Sequence, residues 1–447
     1  MKDRLKIIFM ILGAALVSLA NAQNNKPLTL NEAIDLSIKN SKQLKINRAK
    51  VEQASAAVKE AIQRRLPDAS FSGSYIRLTN PAIDLKAKSS SSSGGSGGNG
   101  GGVPKVNQAV YGILNASLPI YAGGKISYGI ESSKYLAHAE ELDAENSKEE
   151  VIDNTIEAYV NLYKANAAVK LYEENLVQAQ QRVKDFSNLE KNGLLARNDL
   201  LKVQLQASNV ELSLLDARNN RELANVNMDL MLGLPENTTL APDSTIINQN
   251  FSVGTLDEYV QSALKNRKDM EAMGLRKQAA DLGVKATKAD RYPAIALTGG
   301  YIAADIPKML TITNAANIGV GISYNLGSLW KNKAKVEQAE AQSRQLEATQ
   351  ELMNNNIRLQ VNRAYLNWLS SQKKLEVYIK AVEQADENYR IVKNKYNNGL
   401  ATVTDLVEAD VAQLQSHLNY SIAKADAVIV YNQLLEAAGT LSQPQTK

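Results

Sequence analysis

The chain has 447 residues, with 51 Lys+Arg against 47 Asp+Glu, two His, no Cys, and 44% hydrophobic but only 5% aromatic content. Without cysteine there is no disulfide framework, thiolate nucleophile or cysteine zinc site, and two histidines far apart in sequence, His138 and His417, argue against a histidine-rich metal centre. The formal charge of +4 is spread too thinly to mark a nucleic-acid binder, and the slightly negative mean hydropathy excludes a helical membrane protein.

Residues 1–22 read as a secretory signal peptide. Lys2, Arg4 and Lys6 precede an apolar run from Ile7 to about Leu19, and the segment closes on Ala20-Asn21-Ala22. The run is too short for a permanent spanning helix, and no later run reaches that length. The remaining chain is therefore expected outside the inner membrane: periplasmic, secreted, or in an outer membrane as strands.

That remainder is an internal duplication. Leu30-Asn31-Glu32 matches Leu256-Asp257-Glu258 at a shift of 226, which also carries Asn40 to Asn266, Pro67 to Pro293, Gly73 to Gly299 and Tyr75 to Tyr301. Further on the shift is 206, carrying Ala158-Tyr159 to Ala364-Tyr365, Asn192-Gly193-Leu194 to Asn398-Gly399-Leu400, and Gly233 to Gly439. The 20-residue difference falls where Ser89 to Gly102 holds only Ser, Gly and one Asn, a flexible loop that cannot bury a core. The first repeat is set at 23–240, a linker at 241–254, the second repeat at 255–440 and a tail at 441–447.

Each repeat reads as helix, strand, loop, strand, long helix, turn, helix. The first helix is predicted from about Asn31 to Arg65, stopped by Pro67. Strands are predicted at 69–78 and 109–120, around a loop at 79–108, and again at 294–303 and 316–326. In the last of these, Ile318, Val320, Ile322, Tyr324 and Leu326 alternate with Gly319, Gly321, Ser323 and Asn325. Phe71 and Tyr75 lie opposite Ser70, Ser72 and Ser74, and Val110, Leu114, Ala116, Leu118 and Ile120 share a face. About ten residues with one apolar and one small or polar face fit a transmembrane barrel strand. A half-buried strand of a soluble sandwich gives the same alternation.

The long helix, predicted from about Glu131 to Glu190, carries a coiled-coil seam. Leu162, Val169, Leu176 and Val183 recur every seven residues, with Ala165, Tyr172, Ala179 and Phe186 three later. Trp368, Leu375, Val382 and Tyr389, with Ser371, Tyr378, Ala385 and Val392, repeat most of that seam 206 residues on. A return helix follows over about Ala196 to Leu232.

Catalytic motifs are literal matches only. Gly94-Gly95-Ser96-Gly97-Gly98 fits G-x-S-x-G, and Gly95 to Gly100 fits G-x-G-x-x-G, but both fall inside the Ser/Gly run without the strand and helix such motifs require. His138 and His417 read as solvated positions on polar helices. No enzyme, cofactor or metal is expected.

The duplicated unit, Leu118-Pro-Ile-Tyr-Ala-Gly-Gly-Lys125 after the second strand, and the turns Asn192-Gly-Leu-Leu and Asn398-Gly-Leu-Ala-Thr together resemble the TolC family of outer-membrane efflux proteins. The resemblance covers nearly the whole chain after residue 22. It implies a mainly α protein with transmembrane β: a homotrimeric α-barrel of long coiled-coil helices, continuous with a twelve-stranded barrel to which each chain gives four strands. It further implies a passive exit duct in the outer membrane, reaching into the periplasm. A periplasmic adaptor and an inner-membrane transporter would complete a tripartite efflux pump or type I secretion system for small molecules or proteins.

On that resemblance Asn192, Gly193, Leu194, Asn398, Gly399 and Leu400 are the periplasmic tips that touch the adaptor. Asp405 and Glu408 are then the acidic ring at the tunnel entrance, and Asp405 otherwise reads as an acidic first turn favoured by the helix dipole. Tyr396 matches a tyrosine of the family's entrance latch, but Ala401 stands where that latch has an arginine, so the latch does not carry over. Two other readings compete: a soluble periplasmic coiled-coil adaptor or scaffold, and a secreted fibre. An adaptor would lack the duplication and would need lipoyl-like and barrel domains for which no strands are seen, and a fibre does not explain four alternating strands in two matched pairs.

Overall fold

The computed structural model describes residues 25–79, 107–245, 247, 251–307 and 310–441. The signal segment, the Ser/Gly run with both glycine motifs, and the tail beyond 441 lie outside the described residues. In chain order the elements are β1 (Asn25–Leu28), α1 (Leu30–Asn40), α2 (Lys42–Gln63), β2 (Asp68–Arg77), β3 (Gln108–Tyr121), α3 (Lys125–Lys191) and α4 (Arg197–Leu232). Then come β4 (Thr239–Pro242), α5 (Leu256–Asn266), α6 (Lys268–Lys288), a short 3-10 turn at Ala289–Arg291, β5 (Ala294–Ile306), β6 (Leu310–Ser323), α7 (Ser328–Asn397) and α8 (Val403–Ala437). The chain forms two compact units, one of residues 51–140 and 273–349, the other of the remainder.

The helix expected over 31–65 is two helices. Thr29 caps α1 by accepting from the Glu32 N–H at 3.3 Å. At Ser41 the backbone leaves the helical region (φ −53°, ψ 124°), and the Ser41 hydroxyl accepts from the Leu44 N–H as α2 begins. The second repeat breaks at the corresponding Arg267, after a Thr255–Glu258 capping box has started α5. The breaks serve the ends of the return helices. The Asn40 amide donates to the Leu232 carbonyl at 2.6 Å, and the Arg267 guanidinium donates to the Ala437 carbonyl. Carbonyls that a helix C-terminus leaves unpaired are thereby satisfied.

The long helix begins at Lys125, six residues earlier than expected, because Gly123 (φ +63°) and Gly124 (φ +84°) turn the chain sharply out of β3. A Cβ on Gly123 would lie 2.9 Å from the Ala289 carbonyl oxygen, so Gly123 is required by close approach as well as by φ, and Gly124 by φ. The predicted coiled-coil seams hold: every one of their positions is buried or half-buried.

In the unit of residues 25–50, 141–272 and 350–441, the main core gathers Leu28, Ala33, Ile156, Tyr159, Met228 and Val428 from β1, α1, α3, α4 and α8. A two-stranded parallel sheet, β1 with β4, closes its side. This sheet was not expected from the sequence: each strand has four residues and a proline, too few for alternation to show. Tyr159 ties it down. Its fully buried hydroxyl donates to the Leu28 carbonyl at 2.8 Å and accepts from the Asp243 N–H at 2.9 Å. Burial pushes its phenol up to about 12, so the donor is retained through neutral pH. Tyr159→Phe should therefore leave the Leu28 carbonyl and the Asp243 N–H with only their own 3.2 Å bond, at a cost of about 0.5–1.5 kcal/mol. Faster hydrogen exchange at the β1 and β4 amides would register it, and wild-type exchange rates would show the hydroxyl to be dispensable.

In the other unit, β2, β3, β5 and β6 form an antiparallel sheet in that order. The last strand starts at Leu310, not 316, and stops at Ser323, because Asn325 accepts from the Gly327 N–H and turns the chain into α7. The register aligns all four apolar faces. Phe71 pairs with Leu114, Leu114 with Tyr301, and Tyr301 with Ala316; Leu118 pairs with Leu297, and Leu297 with Val320. The opposite face collects Ser70, Ser72, Ser74, Asn115, Thr298 and Gly321. Phe71, Ile318, Val320 and Ile322 are 65–81% exposed on the apolar side.

Candidate functional site

Two regions stand out: the helical turns, and the sheet with its bare apolar face. The turns after α3 and α7 are built alike. Gly193 and Gly399 both sit at φ +71°, and nothing crowds either one, so the backbone angle alone calls for glycine. The Leu194 N–H donates back to the Leu189 carbonyl and the Leu400 N–H to that of Lys395, six-residue bonds that seal each helix end. Asn192 and Asn398 each donate a side-chain amide to the carbonyl four residues back at 2.7 Å. Asn192, Gly193, Leu194, Asn398, Gly399 and Leu400 are all exposed, the two leucines at 73% and 76%.

The helices that follow the turns differ. α8 opens with a full capping box: the Thr402 N–H and hydroxyl donate to the Asp405 carboxylate at 2.7 and 2.8 Å, and Thr402 accepts from the Asp405 N–H. These bonds hold the Asp405 carboxyl below its ordinary range. Ala196 starts α4 with no side-chain cap. Asp405 and Glu408 are both exposed and share a face of α8, while Val403, Leu406 and Ala409 are buried behind them. Within one chain they give a two-carboxylate patch on the first two turns of α8, with Asp405 already serving as a cap.

Sequence reasoning missed what joins the two hairpins. Phe186, Leu200 and Val203 of the first pack with Val403 and Leu406 of the second. The Tyr396 ring meets Phe186 edge-on at 5.5 Å, and burial, then the nearby Asp199, raises its phenol. The Lys202 ammonium donates to Thr404 at 3.0 Å and to Asp199 at 3.4 Å. Deeper in, the Arg182 guanidinium donates to the Asp410 carboxylate at 2.9 Å, with side-chain exposures of 13% and 2%. No local pattern marks a pair 228 residues apart. Next to it lies a groove of ≈ 800 Å³ lined by Phe186, Leu189, Tyr389, Tyr396, Leu406 and Gln413.

Nothing in this arrangement resembles a reaction centre. His138 is exposed on α3, as expected; His417 instead bonds the Asp386 carboxylate at 2.8 Å between α8 and α7. Among the described residues no cluster of three or more His, Asp or Glu could hold a metal ion. No described helix is long and apolar enough to cross a membrane, which leaves the strands to be judged on their own. The sheet has an apolar face toward solvent and two open edges, β2 and β6. In water such a face is a liability; in hydrocarbon it is the ordinary outer wall of a barrel.

Comparison with known proteins agrees. A family model described as outer membrane efflux protein matches residues 33–234 and 259–440, one segment in each repeat. The chain is similar to the toxin and drug export protein A of Aggregatibacter actinomycetemcomitans, 22% identical over 335 residues that span 72% of this chain and 70% of that protein. It is also 20% identical to the outer membrane efflux protein BepC of Brucella suis, over 73% of this chain and 71% of that one. Its fold matches the solved Campylobacter jejuni CmeC outer membrane channel with a TM-score of 0.75 at 19% identity, covering 94% and 87% of the two chains.

Proposed function

The chain belongs to the outer membrane efflux protein family, and from that premise we propose that three copies close their four-stranded sheets into one twelve-stranded barrel. The protein is an exit channel of the outer membrane, with its helices in the periplasm. The observation that carries the trimer is the pair of sheet edges. Unpaired backbone groups are not tolerated in lipid, four strands cannot close a barrel alone, and β6 runs opposite in direction to β2, so β6 of one copy would pair antiparallel with β2 of the next. A soluble adaptor would have no use for that sheet. Fractionation of cell membranes, followed by the mass of the detergent-solubilised particle, tests it. An outer-membrane particle near three times the chain mass is expected, and a soluble monomer or dimer would refute it.

The energy source in this reading is an inner-membrane transporter, joined through a periplasmic adaptor at the tips around Asn192–Leu194 and Asn398–Leu400. The groove between the hairpins, lined by Phe186, Leu189 and Leu406 together with Gln178, Gln181 and Lys393, supports a helical partner there. The relatives' names speak of toxin and drug export, so the cargo is proposed to be small molecules or a protein.

Threefold symmetry would gather six carboxylates, from Asp405 and Glu408 of each copy, around the entrance. Such a ring concentrates cations and is blocked by those that bind it too well. Asp405→Asn with Glu408→Gln, which keeps a side-chain acceptor for the cap, is expected to abolish block by polyvalent cations in planar bilayers. Block that persists unchanged would remove these two residues from the throat.

A further inference from the structure

We propose that the end of the barrel where strands meet helices carries a basic, aromatic collar that binds the phosphate headgroups of anionic phospholipid in the periplasm-facing leaflet. The proposal rests on the barrel reading above. All four strand–helix junctions lie at one end of the antiparallel sheet, since β2 and β5 begin there and β3 and β6 end there. At those junctions Leu66, Tyr121, Tyr292, Leu326, Leu329 and Trp330 are 46–67% exposed. Tyrosine and tryptophan of this kind settle where hydrocarbon gives way to headgroups, one end of the ring apolar and the other wet.

Immediately beyond them the chain is cationic. Arg64, Arg65, Arg291, Lys331, Lys333 and Lys335 are all exposed at the same junctions. Arg64 pairs with Glu60 at 3.1 Å, and Lys333 reaches Glu337 only at 3.9 Å. Among the described residues no acid pairs with Arg65, Arg291, Lys331 or Lys335. α7 starts without an acidic residue in its first turn and places three lysines within its first eight positions, against the preference of its own dipole. The chain thus keeps an excess of positive charge that it does not offset internally. Next to an aromatic ring at the foot of an apolar sheet face, the anion at the right depth is a lipid phosphate.

The test is native mass spectrometry of the detergent-solubilised full chain with equal phosphatidylglycerol and phosphatidylethanolamine. Wild type is expected to retain the anionic lipid preferentially. Lys331→Gln, Lys333→Gln and Lys335→Gln combined should lose about fivefold of that preference per cation removed, and Arg64→Gln with Arg65→Gln should lose a similar share. Lys184→Gln, an exposed lysine of the other unit, should leave it unchanged, and the particle mass shows whether each variant has assembled. Equal retention of both lipids by wild type, or an unchanged preference in the assembled triple variant, would overturn the collar. Recovery of the wild-type chain outside the membrane fraction would overturn the barrel reading, and this proposal with it.

Discussion

Arg182→Leu is expected to loosen the helical tip by about 3–5 kcal/mol, the usual cost of deleting one partner of a buried ion pair. The loss comes from Asp410 more than from the arginine. Asp410 is 2% exposed, its Oδ1 accepts from Arg182 at 2.9 Å, and its Oδ2 has no hydrogen-bond partner among the described residues. Without the guanidinium, a carboxylate remains in the packed layer between α3 and α8 with no counter-charge. Because the pair bridges the two repeats, the effect should appear as faster hydrogen exchange in both helices around these positions. Replacing both residues together by leucine should recover most of the loss, since the desolvation penalty disappears along with the attraction. A single variant that exchanges like wild type would mean the tip is held by its apolar cluster alone.

Val320→Arg is expected to cost about 2–4 kcal/mol in barrel stability, the penalty for a guanidinium near the middle of a hydrocarbon layer. Val320 is 65% exposed and stands in register with Leu297 and Leu118, so the arginine would rise from the centre of the apolar face. Asn317→Arg, three residues earlier on the opposite face, meets small and polar neighbours and should be tolerated. Folding into phospholipid vesicles across a urea series would separate the two. Equal sensitivity, or none, would contradict the assignment of faces.

What could be read from the sequence was what leaves a local or periodic trace. Gly193 and Gly399 were legible because a left-handed helix stop needs glycine whatever surrounds it. The strands were legible because one face is apolar and the other small, so Ile318, Val320 and Ile322 stand out against Gly319 and Gly321. The breaks at Ser41 and Arg267 were not, because neither carries proline or glycine, and what holds each break lies at the end of a helix some 170–190 residues away. β1 and β4 were too short to show a period. Asp405 and Glu408 could be picked out only through the family resemblance; their local chemistry is that of a well-capped helix start. Arg182 and Asp410 leave no local trace, since a polar residue in a helix reveals nothing about a partner on another hairpin.

The open edges of the sheet have a genetic consequence. In the proposed ring of three copies every seam would join β2 of one chain to β6 of another, so each chain would be needed at two seams and no copy could be bypassed. A chain with a spoiled β6 edge but sound helices would still be drawn into assemblies and would leave each of them unsealed. Where half the chains in a cell carry such a lesion, only about one ring in eight would be free of it. Mutations on either edge strand should therefore be dominant over the wild-type copy, whereas a simple null allele should be recessive.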